Sequence, residues 1–121
     1  RTAYNALKLA GLREAPVHLA IFTETEPEAG HGLGRQTMPE MLNYSTVAAI
    51  HTLWLAARAE NLGVGWVSIL NPQEVAHTLD VPEDWHLTGY LCLGKAALDD
   101  DTPLLHRNAW QTNAETVWQD V

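Results

Sequence analysis

Apolar and polar positions divide the chain into alternating helix-like and strand-like stretches. Ala3, Ala6, Leu7 and Ala10 recur at the spacing of one helix face, so the opening RTAYNALKLAGLREA is read as a helix. Pro16 breaks it. VHLAIFT follows as a short, nearly continuous apolar run, which predicts a strand buried on both faces. TEPEAGHGLGRQT is polar and glycine-rich and reads as a long loop. Thr37 and Glu40 then stand at capping-box spacing, with Pro39 in the first turn, and predict a helix from about Met38 to Leu62. Gly63 falls where a left-handed residue would close that helix. VGWVSIL is the second expected strand. Asn71 and Glu74 repeat the capping pattern, with Pro72 at the first helical position, and predict a short helix to about Leu79. HLTGYLCLG is the third strand. DDDTPLLHRNAWQTNAETVWQDV reads as an extended arm from residue 99 to 121. Ala114, Val117, Trp118 and Val121 form an apolar stripe on a small helix at its end.

Helix and strand alternate throughout, the signature of an α/β or α+β domain. Between Met41 and Ala57 there is no charged residue, and the apolar side chains cover most of the helix circumference. Such a helix is expected to be buried all round. Asn43, Ser45, Thr46, His51 and Thr52 interrupt it too often for a membrane span, so a core or subunit-interface helix is the reading.

Composition narrows the class. The 121 residues suit one domain. A 46% hydrophobic content with five tryptophans excludes a disordered chain. A net charge of -8, with seven scattered basic residues, argues against a nucleic-acid surface. Cys92 stands alone and cannot form an internal disulfide, which fits a reducing compartment. No signal peptide is visible, and a cytoplasmic location is the default. The chain opens in helical pattern without an initiator Met, so it is expected to be the C-terminal part of something longer.

The candidate chemistry is sparse. GHGLGR has Gly-x-Gly-x-Gly spacing, not the dinucleotide fingerprint, and is read either as a flexible loop or as a lid over a ligand. Ser68 lacks the flanking glycines of a nucleophile elbow. It is either a buried serine bonded to nearby backbone or a donor at the C-terminal end of a strand, where open sheets bind ligands. The six histidines lack metal-ligand spacing, and no metal site is expected. Cys92 is read as a small buried apolar residue. Arg107 follows the acidic run Asp99–Asp101. It could clamp a phosphate or form a surface ion pair.

Three stretches carry a resemblance. MPEMLNYSTVAAIHTLWLAARAENLGVGWVSILNP, LTGYLCLG and DDDTPLLHRNAWQ resemble the BluB-type 5,6-dimethylbenzimidazole synthases, which look like a specialised branch of the flavin-dependent nitroreductase family. The resemblance covers essentially the whole chain and matches the C-terminal part of such an enzyme. It implies an α+β fold, with a mixed sheet flanked by helices and the long central helix at a dimer interface. Residues 1–121 would be the C-terminal part of a single nitroreductase-like FMN domain, incomplete by itself.

The resemblance also implies an activity. Reduced FMN would be broken down with O2 to 5,6-dimethylbenzimidazole, the lower ligand of cobalamin, and erythrose 4-phosphate. A flavin reductase or NAD(P)H would supply the electrons. Ser68 matches the family serine beside the flavin ring. Ile69 and Leu70 would line the same edge through backbone groups, and Arg107 matches a basic residue that reaches the FMN phosphate. GHGLGRQTMPEML falls where this subfamily has a lid. The family's N-terminal phosphate-binding segment and catalytic aspartate have no counterpart, so residues 1–121 alone are expected to bind FMN weakly. An FMN-dependent NAD(P)H nitroreductase or dehalogenase, and a non-catalytic flavin-binding or dimerisation module, are the alternatives.

Overall fold

The computed structural model describes residues 9–112 and 114–119. They fall into two compact units, Leu9–Ala96 and the described part of Ala97–Val121. The expected opening helix lies mostly outside the described residues. Within them it is one turn, α1, Gly11–Glu14.

In the first unit three strands form an antiparallel sheet in the order β1-β3-β2, with β1 at Val17–Glu24, β2 at Leu62–Val67 and β3 at Trp85–Lys95. Both pairings are antiparallel, so the parallel member of the expected mixed sheet is not among the described strands. The central strand carries the core. Leu91 is fully buried and Cys92 is buried beside it, as the apolar reading of this residue expects. β1 is less buried than its apolar run suggests. Val17, His18 and Glu24 are exposed, and only Thr23 is buried. An edge strand is covered on fewer sides than a central one.

The β1–β3 register shifts between Ile21 and Phe22, which pair with Gly89 and Leu87, so Thr88 is the extra residue of a bulge. Its hydroxyl meets that of Thr23, which also donates to Thr46 at 2.7 Å. Thr46 in turn donates to the Leu42 carbonyl. This chain of hydroxyls leaves no buried side-chain polar atom unpaired among the described residues.

The central helix, α2, runs over Met41–Ala59. It starts three residues later than the capping pattern predicts. Thr37 does not cap it but donates to the Gly34 carbonyl, and Glu40 at the N-cap makes no side-chain bond. The C-terminal expectation also changes. Asn61, at φ 58°, takes the left-handed position, while Gly63 lies inside β2. Asparagine tolerates that conformation. Gly63 serves packing instead, since a Cβ there would sit 3.3 Å from the Ala96 Cβ. Ser45, Thr46 and Thr52 bond back to carbonyls one turn earlier, which keeps an apolar helix tolerant of hydroxyls.

Burial of α2 is one-sided. Ile50 and Ala57 are buried, whereas Tyr44 is 52% and Leu55 60% exposed. Among the described residues the expectation of a helix buried all round is not met, because one small sheet covers only one stripe of it. Among the described residues no helix is long and apolar enough to cross a membrane.

Helix α3, Pro72–Thr78, completes the first unit, and the described residues of the second unit hold a single turn of helix, α4 at Leu104–Arg107. The expected terminal helix is absent over residues 114–119, which are exposed. Val121 lies outside the described residues. A stripe of four apolar positions on so short a segment does not repay helix nucleation without a surface to pack on.

Candidate functional site

The polar site is built where β2 ends. VGWVSIL was expected to run as a strand to Leu70, but the strand stops at Val67, and Ser68, Ile69 and Leu70 form a bridge beyond it. Helix α3, Pro72–Thr78, begins directly after. Asn71 caps it as the sequence predicts. Its side-chain oxygen accepts from the amides of Gln73 at 3.0 Å and Glu74 at 3.3 Å. Pro72 at the first helical position has no N–H to satisfy.

Ser68 is exposed, and its hydroxyl makes no hydrogen bond among the described residues. That removes the buried, backbone-bonded reading of this serine. Ile69 is 41% exposed beside it. Leu70 and Asn71 turn into a cleft of about 660 Å³ on the sheet face, whose wall also includes His18, Ala20, Val75 and Tyr90.

His18 and Tyr90 were not singled out by sequence reasoning. His18 Nε2 lies 3.1 Å from the Ala15 carbonyl, and Nδ1 lies 3.1 Å from the Tyr90 hydroxyl. A carbonyl only accepts, so in the neutral ring the network assigns the proton to Nε2, and Tyr90 donates to Nδ1. The rings meet edge to face with centroids 5.7 Å apart. The Cys92 sulfur is 3.9 Å from Nδ1, and burial pushes its thiol up, which disfavours the thiolate. His18 pairs with Cys92 across the ladder, and Tyr90 is the diagonal neighbour on the same face. The register that makes them neighbours is a tertiary fact, so the sequence offered no signal for it.

The glycine-rich loop has a defined shape. Gly30, Gly32 and Gly34 have φ of 77°, 76° and 80°, and His31 has φ 50°. Arg35 ties its ends together, donating to the Thr25 and Pro27 carbonyls and to Glu26 at 3.2 Å. Leu33, between two left-handed glycines, is 92% exposed at the tip. The dihedrals exclude a dinucleotide turn running straight into a helix, since a 3-10 turn at Ala29–Gly32 intervenes.

Arg107 belongs to the second unit. Its Nη1 lies 2.6 Å from Asp100 Oδ2, so the surface ion pair is the arrangement observed. The Asp100 carboxyl is held below its ordinary range, first by the Thr102 amide and then by Arg107. No group of three or more possible metal-ligating side chains occurs among the described residues.

The Nitroreductase family profile matches residues 1–95. The chain is 56% identical over 117 residues to a 5,6-dimethylbenzimidazole synthase of Rhodobacter capsulatus, covering 97% of this chain and 56% of that protein. It is also 56% identical over 110 residues to a 5,6-dimethylbenzimidazole synthase of Rhodospirillum rubrum, covering 91% of this chain and 52% of that one. The chain thus spans about half the length of the curated relatives it matches. Among solved structures, a nitroreductase family protein from Clostridium difficile aligns with a TM-score of 0.57 at 17% identity, over 79% of this chain and 54% of that one. That likeness shows the fold.

Proposed function

The chain belongs to the nitroreductase family, and on that premise we propose that it works as part of a 5,6-dimethylbenzimidazole synthase. The proposed reaction converts reduced FMN and O2 to 5,6-dimethylbenzimidazole, the lower ligand of cobalamin, erythrose 4-phosphate and a third product from the pyrimidine ring of the flavin, which by mass balance takes up the oxygen. The observation that carries this reading is the 56% identity, over 97% of the chain, to a relative bearing that name.

The residues at the end of β2 fit one edge of a flavin ring. The Ser68 hydroxyl is unengaged among the described residues, Ile69 offers an exposed apolar side chain, and the bridge is backbone that a ring edge can approach. Bound reduced flavin supplies the electrons that O2 takes up and is itself the substrate. Ser68 would hold a proton at Oγ within reach of the reacting edge and relay it. The Arg35-tied loop would act as a lid that keeps bulk water out. Arg107 would contact the FMN phosphate. The uncharged stretch of α2, Met41–Ala57, exposes Tyr44, Val47 and Leu55, which would meet a second copy in a homodimer. A flavin reductase or NAD(P)H would supply reducing equivalents in the cytoplasm.

The full-length protein, given reduced FMN and air, should release 5,6-dimethylbenzimidazole detectable by mass spectrometry. Quantitative reoxidation to FMN without benzimidazole would refute the reading. Steady turnover of a nitroaromatic or halogenated substrate with NAD(P)H would put an ordinary nitroreductase or dehalogenase in its place.

The Arg107 assignment has its own test. Asp100 competes for the guanidinium, so Asp100→Asn should tighten FMN binding, by about two- to fivefold for an exposed pair. Because the Asp100 carboxyl is depressed in the folded chain, the pair persists through neutral pH. It is lost only as pH falls through that lowered value. Unchanged FMN affinity in Asp100→Asn, measured by flavin fluorescence, would remove Arg107 from the phosphate site.

A further inference from the structure

We infer that Asn71 is a positioning residue for the Ser68–Leu70 bridge, an inference that rests on the flavin-edge reading of that bridge. Outside the β2–β3 ladder, Ser68, Ile69 and Leu70 make no hydrogen bond among the described residues. The bridge is therefore held from its two ends. One end is Val67, the last residue of β2 in register, opposite Tyr90. The other is Asn71.

Asn71 fixes its end through both main chain and side chain. Its carbonyl accepts from Val75 at 3.1 Å, while its side-chain oxygen takes the amides of Gln73 and Glu74. Its φ of -85° and ψ of 111° are extended, so the chain turns at this residue from bridge to helix. Pro72 restricts the preceding backbone to that extended region as well. Three residues of unbonded chain between a strand end and a capped helix start have few ways to lie. Removing the cap would let the first turn of α3 fray, and the bridge would sample positions in which its groups miss the ring edge. Asn71 touches no reacting atom in this account. It acts through where it leaves Ser68.

The cost of a lost cap corresponds to roughly a five- to tenfold change in an equilibrium constant. In the full-length protein, Asn71→Ala should weaken FMN binding by about that factor, read by quenching of flavin fluorescence. Asn71→Asp and Asn71→Ser, which keep an acceptor at the cap, should stay within about twofold of the parent. Asn71→Gly is the control for folding. Glycine is nearly as good as a capping side chain for helix stability, so this variant should fold normally, keep the first turn of α3 and bind FMN within about twofold of the parent; FMN binding as weak as that of Asn71→Ala would show that α3 fraying is not how Asn71 acts. Amide exchange gives the second readout. FMN should slow exchange at residues 68–70 in the parent and do so less in Asn71→Ala. If Asn71→Ala exchanges faster at Gln73 and Glu74 but binds FMN as the parent does, the positioning role is refuted and the flavin-edge reading stands. If FMN leaves exchange at 68–70 unchanged in the parent, the flavin-edge reading itself fails and takes the inference with it.

Discussion

Ser68→Ala is expected to lower 5,6-dimethylbenzimidazole formation by about a hundredfold or more, the scale of a lost proton-transferring group. The structure makes this a clean substitution. The hydroxyl is exposed and has no hydrogen bond among the described residues, so its removal leaves no buried polar atom stranded. Stability should change by no more than about 0.5 kcal/mol, as for an exposed position away from packing. Ser68→Gly should lose activity at least as far, because it also loosens the bridge. Ser68→Thr keeps the hydroxyl and should retain a measurable part of the rate. The measurement is product yield per reduced FMN, alongside the thermal midpoint of each variant. Product formation by Ser68→Ala at the parent rate would remove the serine from the chemistry. If the parent itself makes no benzimidazole, the proposed reaction fails before Ser68 is tested.

The site was legible in the sequence to the extent that its signals are local. Asn71, Pro72 and Glu74 announce a helix start by chemistry that acts over three residues, and the cap is where the pattern places it. The end of the preceding strand was missed by three residues. Apolar character continues through Ile69 and Leu70, but pairing with β3 ends at Val67. Thr37 shows the opposite failure. Its spacing to Glu40 is right, yet the left-handed glycines upstream send its hydroxyl to Gly34.

What local patterns could not show depends on register or on covering surface. The Thr23, Thr46 and Thr88 hydroxyls meet because a bulge inserts Thr88 into β3; Gly89 beside it is compatible with a bulge, but VHLAIFT and HLTGYLCLG do not show which hydroxyls it brings together. The uncharged stretch of α2 was rightly read as apolar. The sequence could not say which surfaces would cover it, and among the described residues the Ile50 and Ala57 side is the covered one.

That covered side sets the largest stability effect expected here. A Cβ on Gly89 would lie 2.9 Å from Ile50 Cδ1 and 3.2 Å from Trp66 Nε1. Gly89 is buried in the central strand and Ile50 is 1% exposed on α2, so Ile50 has no room to give, whereas Trp66 is 37% exposed and can shift outward. The missing side chain is what lets α2 lie this close to the sheet. Gly89→Ala should therefore cost about 1–3 kcal/mol, and Gly89→Val about 3 kcal/mol or more. Intrinsic strand preference works against this result, since replacing a strand glycine normally helps the strand. A loss of stability would thus report packing and not propensity. The double substitution separates the two. Ile50→Val deletes the Cδ1 atom that the new methyl strikes, and alone it should cost about 0.5–1.5 kcal/mol. Combined with Gly89→Ala it should recover part of the loss, giving a favourable coupling of about 0.5 kcal/mol or more in urea unfolding. Trp66 remains in contact, so recovery should be incomplete. Strict additivity of the two substitutions would mean that Ile50 is not what crowds Gly89, and that α2 seats on the sheet by some other contact.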